Sequence, residues 1–188
     1  EMRAAVNDTR LLEALSPDGL RVALLGNSGF QACVLDANLS ESCLQAAVSV
    51  VSVPLIADPV SAVKCLRLLS VMNRLTAIKP NLMEALAMTG EDSPERAANA
   101  LLRLGVKQVY ISLGSEGVYY ADAYKSGMRS APRLHGVSVT GAGDAMAAGI
   151  TLGVAMKLPD DETAMLGIRL AYEYLSGISD ATGSEEER

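Results

Sequence analysis

Val139-Thr140-Gly141-Ala142-Gly143-Asp144 is the stretch on which the reading of this chain turns. Residues 137–139 have the pattern of a short strand, and residues 145–156 form an apolar run without a single charge. Between them lies a turn of small residues ending in one carboxylate. Two glycines and an alanine let the backbone pass close to a ligand, since no bulky side chain holds it away. The first N–H groups of the following helix have no intrahelical partner and attract phosphate oxygens. An acid at that point, Asp144, is placed to take a proton from a hydroxyl attacking a phosphate. The competing reading is an acid that only stabilises its helix, worth about 0.3–1 kcal/mol. The Thr-Gly-Ala-Gly-Asp string is uncommon enough to favour chemistry, and the chemistry it favours is phosphoryl transfer. A helix apolar on all sides is expected at the centre of a domain, with Gly149 and Gly153 letting it pack closely on a sheet.

Upstream of this turn, strand and helix patterns alternate with short connections. That alternation predicts an α/β fold with a mostly parallel sheet. Ser16-Pro17-Asp18 is a helix start, and Gly26 ends that helix. Strands are expected at residues 32–36, 55–57, 75–78, 109–113 and 118–120, with one more edge strand over 128–134. Helices are expected at 41–51, 61–71, from Asn81 to Gly90, from Ser93 to near Gly105, at 143–156 and at 160–175. In the 61–71 helix, Lys64 and Arg67 fall on the wet side. No internal repeat or low-complexity segment interrupts the pattern.

Composition narrows the function. The chain has 188 residues, 49% of them hydrophobic, which suits one domain with a substantial core rather than disorder. Sixteen basic and 22 acidic residues give a net charge of −6 with no Lys/Arg block, which argues against a dedicated nucleic-acid binder. No apolar run reaches membrane-spanning length, and no basic-then-apolar leader opens the chain. Cys33, Cys43 and Cys65 lack CxxC spacing and read as buried thiols of a reducing, cytoplasmic compartment. His135 is the only histidine, so multi-histidine metal sites are excluded. Glu1-Met2-Arg3 reads as the middle of a domain, so a fragment or processed chain is expected.

Other residues can carry chemistry, each beside a plainer role. Asn81 and Glu84 face the same way at a helix start and could orient Mg²⁺-bound water or phosphate; the same pair is also a capping pattern. Ser112-Leu113-Gly114-Ser115-Glu116-Gly117 could cradle phosphates through backbone N–H groups or be a hairpin turn. Asp36 and Asp58 end strands, where ligands bind in open α/β sheets. Lys64 could stand near phosphates or be solvated.

Taken together, Lys79-Pro80-Asn81-Leu82-Met83-Glu84, Ser112 to Val118 and Thr140 to Asp144 resemble the PfkB/ribokinase family of sugar and nucleoside kinases in motif, order and spacing. Asp36-Ala37-Asn38-Leu39-Ser40 and Asp58-Pro59-Val60-Ser61 resemble the pseudouridine-kinase branch of that family. The resemblance implies a ribokinase-like three-layer α/β/α sandwich and ATP with Mg²⁺ as cofactors. It implies Asp144 as general base, Gly141, Ala142 and Gly143 as an anion hole, and Asn81 and Glu84 as organisers of Mg²⁺ and phosphates. Ser112, Gly114 and Gly117 would line the nucleotide site. The implied reaction phosphorylates the 5′-hydroxyl of pseudouridine. Alternatives are another family substrate (ribose, adenosine or a fructose) or a non-catalytic nucleotide-binding fragment. Ser138 stands where many members carry a potassium-binding Asp, so potassium activation is not expected. The resemblance covers only the C-terminal part of such a kinase domain, without the N-terminal substrate motif and β-lid. The chain alone is therefore expected to be a poor catalyst, dependent on that part or on a homodimer.

Overall fold

A computed structural model describes residues 10–27, 29–134 and 139–183. They build a six-stranded sheet in sequence order: β1 (Cys33–Asp36), β2 (Leu55–Asp58), β3 (Ala77–Ile78), β4 (Gln108–Ser112), β5 (Val118–Ala121) and β6 (Ser126–Arg129). The first four strands are parallel, and β5 and β6 add antiparallel pairs at one edge. Helices α1 (Arg10–Glu13), α2 (Pro17–Leu25), α3 (Glu41–Val50), α4 (Leu82–Thr89), α5 (Pro94–Arg103), α6 (Ala142–Ala155) and α7 (Asp160–Gly183) complete the fold, with a 3₁₀ helix at Lys64–Arg74.

Side-chain alternation along the strands feeds two cores. Leu55, Ala57, Val109 and Ile111 pack with Leu44, Leu68, Met72 and Leu101 on one face. Ile56, Tyr110 and Val118 pack with Met146, Ile150, Val154 and Ile168 of α6 and α7 on the other. The fold is thus the three-layer sandwich expected, with helices covering both faces of a mostly parallel sheet.

Several elements differ from the expectation. The helix expected at 61–71 is a 3₁₀ helix three residues further on. Cys65, Leu68 and Val71, each three residues apart, are its buried ridge, and spacing of three matches three residues per turn. Arg67 is not on a wet side, because its guanidinium donates to the carbonyls of Ala37, Asn38 and Leu39. The last strand runs over Ser126–Arg129 rather than 128–134, since it pairs residue for residue with β5. Helix α7 continues to Gly183, and the short α1 has no counterpart in the sequence pattern. Cys43 and Cys65 are buried as expected, whereas Cys33 is only half-buried. The strand expected at 137–139 is described only at Val139, which is irregular; His135 and Ser138 lie outside the described residues.

Helix α6 does not lie at the centre of the molecule. Its inner side is buried, but Leu152 is 47% and Met156 60% exposed. Gly149 and Gly153 face α7, not the sheet. A methyl added at Gly149 would sit 2.7 Å from the Gly167 Cα, and one at Gly153 would sit 2.7 Å from the Thr163 hydroxyl. The α6–α7 layer also stops short of β1. Val34 is 47% exposed, whereas Ile56, its neighbour in register, is fully buried.

Candidate active site

The carboxyl ends of the parallel strands open onto a cavity of about 690 Å³, the place where open α/β sheets bind ligands. Each strand delivers a polar group as it ends: Asp36 from β1, Asp58 from β2, Ser112 from β4. Lys79 follows β3, and its N–H continues the ladder by donating to the Ala57 carbonyl at 3.0 Å. Across from them stands the first turn of α6, which contributes Gly143 and Asp144.

That turn is shaped by glycine. Gly141 is the N-cap in the left-handed region at φ +85°, and a side chain there would meet the Tyr174 ring. Its carbonyl accepts from the Ala145 N–H at 3.0 Å, so the helix begins at once and Asp144 rides in its first turn. The N-cap, being glycine, supplies no side-chain cap of its own. Asp144 is exposed to the cavity, on a helix whose inner side is anchored in the core.

Asn81 and Glu84 form a complete capping box. The Asn81 side chain accepts from the Glu84 N–H at 2.9 Å, and the Glu84 carboxylate accepts from the Asn81 N–H at 2.8 Å. Both residues also line the cavity, so the capping and ligand-facing readings coexist. Burial pushes the Glu84 carboxyl above its ordinary range and the nearby Asp58 charge adds to this; the Asn81 N–H and the Lys79 ammonium work against it. Ser112 is bridged to Asn81, its N–H donating to the Pro80 carbonyl at 2.9 Å.

Five other expected residues, Gly141 of the turn just described among them, are not brought into this lining. Lys64 donates to the Asn38 side chain at 2.7 Å, which orders the loop after β1. Gly114 begins a short 3₁₀ turn, and Gly117 closes the β4–β5 hairpin at φ +115°, where a side chain would strike the Arg129 backbone. Ala142 packs against the α6–α7 core.

Among the described residues the cation of the cavity lining is Lys79, to which the sequence motifs assign no role. It is only 5% exposed and pairs with Asp58 at 3.2 Å. Its position directly after a buried strand, like that of Asp36 and Asp58, was the signal available. Among the described residues no three metal-ligating side chains converge into a cage. The lining carboxylates Asp36, Asp58, Glu84 and Asp144 are oxygen donors of the kind Mg²⁺ takes one or two at a time when carried in on phosphates.

The chain matches the pfkB family of carbohydrate kinases over residues 23–186. It is 33% identical to the pseudouridine kinase of Escherichia coli K12 over 157 residues, 80% of this chain and 50% of that protein. It is 34% identical to 1-phosphofructokinase of the same strain over 99 residues, 50% of this chain and 32% of the relative. The chain thus spans about half the length, or less, of these curated relatives. Ribokinase from Thermotoga maritima superposes with a TM-score of 0.69 at 21% identity, covering 85% of this chain and 52% of the other. With its family motifs gathered at one cavity of a ribokinase-like sheet, this chain belongs to the pfkB family of carbohydrate kinases.

Proposed function

We propose that this chain carries the phosphoryl-transfer machinery of an ATP-dependent nucleoside kinase, with the 5′-hydroxyl of pseudouridine as acceptor. The observation that carries the reading is the juxtaposition of Asp144 and the glycine-led start of α6 with Asn81, Glu84 and Ser112 around one cavity. Asp144 takes the proton of the attacking hydroxyl as the new P–O bond forms and the bond to the ADP oxygen breaks. The N–H groups of the first turn of α6, around Gly141, Ala142 and Gly143, hold the oxygens of the group in transit. Glu84 and Asn81 would hold Mg²⁺ through its water, and Mg²⁺ when bound neutralises charge developing on the phosphates. Ser112 lies beside Asn81 as a contact for the nucleotide, with Gly114 and Gly117 shaping the turn behind it.

Charge supports a neutral nucleoside over a phosphorylated sugar. Among the described lining residues Lys79 is the one cation, set against Asp36, Asp58, Glu84 and Asp144. The likeness to the Escherichia coli pseudouridine kinase points the same way.

The test is ATP-dependent transfer to pseudouridine, uridine, adenosine, ribose and fructose 1-phosphate, with Asp144→Asn as control. Turnover of pseudouridine that falls by about 10²–10⁴ in the variant supports base and acceptor together. Preference for another acceptor keeps the kinase and discards pseudouridine. ATP binding with no transfer to any acceptor, also when the chain is joined to the N-terminal part of such a kinase domain, favours a non-catalytic nucleotide-binding role.

A further inference from the structure

Lys79 occupies a position that helix stability does not explain. Its ammonium is almost wholly buried and donates to the Gly143 carbonyl at 3.3 Å, within the first turn of α6. A cation beside a helix N-terminus opposes the helix dipole, and a buried charge is costly unless paired. The pairing comes from Asp58, whose two oxygens are divided. Oδ2 meets Lys79 at 3.2 Å, and Oδ1 accepts from the Val60 N–H at 3.1 Å. Val60 itself is held at φ +65°, a strained conformation for a β-branched residue, and it lines the same cavity. A continuous path therefore runs from the Val60 turn through Asp58 and Lys79 to the backbone next to Asp144. It joins the ends of β2 and β3 to α6, 64 residues further along the chain.

We propose that Lys79 is a positioning residue for phosphoryl transfer: by bridging Asp58 and the Gly143 carbonyl, it fixes the first turn of α6, and with it Asp144 and the neighbouring N–H groups, against the strand ends. This rests on the kinase reading above. It makes the cost of a buried cation intelligible, because small displacements of a reacting group are expensive in rate. A misplacement of about 1 Å can cost about 10²-fold.

The experiment compares Lys79→Met, Lys79→Arg and Asp58→Asn with the unmodified chain, reading steady-state kinetics and backbone amide exchange. Lys79→Met is expected to lower kcat by about 10²-fold, with KM for ATP and acceptor within about threefold. Lys79→Arg keeps a charged donor and should recover at least about tenfold of that loss. Amide exchange over residues 141–148 should accelerate by about tenfold in Lys79→Met, less in Asp58→Asn, while residues 150–155 hold steady. Retention of kcat within about twofold, or a loss that Arg does not recover and that comes with faster exchange throughout the chain, overturns the proposal. An unmodified chain that neither binds ATP nor transfers phosphate to any acceptor counts against the kinase reading. In that case exchange still decides the clamp: local acceleration at 141–148 supports it, and unchanged or chain-wide exchange overturns it.

Discussion

Glu84 shows how one residue can be read two ways and hold both roles. As the third residue of its helix it completes a capping box, and as a buried carboxylate it faces the cavity. Substitution separates the roles. Glu84→Gln keeps an acceptor for the Asn81 N–H but removes the charge, so the melting temperature should move by no more than about 2 °C while transfer falls by about 10²-fold. Glu84→Ala loses the cap as well and should cost about 1 kcal/mol more in urea denaturation. A Gln variant as active as the parent would leave capping as its whole role. Gly141 makes a complementary case. Its left-handed φ and its closeness to Tyr174 leave no room for a methyl group, so Gly141→Ala should destabilise the fold by about 1–3 kcal/mol. A thermal melt within about 1 °C of the parent would contradict that. The motif glycines were legible because a cluster of small residues at a turn serves mainly to free the backbone. Lys79 was legible only by its place at the end of a strand, since nothing in a lone lysine says it will be buried.

At the scale of elements, the α6–α7 pair is joined by small residues at its contact, and a buried acid at its corner ties α7 to β4. Gly149→Val would push α7 away from α6, at a cost of about 1–3 kcal/mol by chemical denaturation. A variant with unchanged stability would mean that the helices can part without loss. At the N-terminus of α7, Asp160 is 3% exposed and accepts from the Gln108 amide and from the Tyr110 hydroxyl at 3.1 Å. Burial, and then the neighbouring Asp122 carboxyl, raise the Asp160 carboxyl above its usual range. Burial also tends to raise Asp122, but the N–H groups of Tyr124 and Lys125 outweigh it and hold that carboxyl low. The sign of the linkage follows. A raised folded value favours the protonated form, so the Asp160 contribution is full below its unfolded value of 3.8 and is lost as pH rises through the folded value. Asp160→Asn should therefore gain stability relative to the parent as pH rises from about 4 towards neutrality. Urea midpoints over that interval check it, and a constant difference between the two proteins would refute it. Tyr110 lies 50 positions from Asp160 in the chain, a distance over which no local pattern reveals a partner.

Over the whole molecule, the sheet has two unlike edges. β6 is a short strand carrying Arg129, paired with Asp161 at 2.6 Å. β1 is apolar, its Val34 is exposed, and among the described residues no strand pairs with its outer side. An unprotected apolar edge is a template for pairing with another chain. The isolated chain should self-associate with rising concentration, and Val34→Lys should shift it towards monomer in sedimentation velocity. Equal association in both proteins would place the contact elsewhere. The sequence by itself determined the α/β class, the parallel run of strands, the helix starts at Ser16, Asn81 and Ser93, and the glycine turn that bears Asp144. All of these rest on local chemistry: caps, turn residues and apolar periodicity act within a few positions. The tertiary structure decided which face of α6 is buried, that Gly149 and Gly153 meet α7, and that Lys79 rather than Lys64 is the cation of the cavity lining. It also decided that Gly114 and Gly117 shape a hairpin outside the cavity lining. Those outcomes depend on which distant segments the sheet brings together, and a side chain's partners across that distance are set by packing, not by its neighbours in sequence.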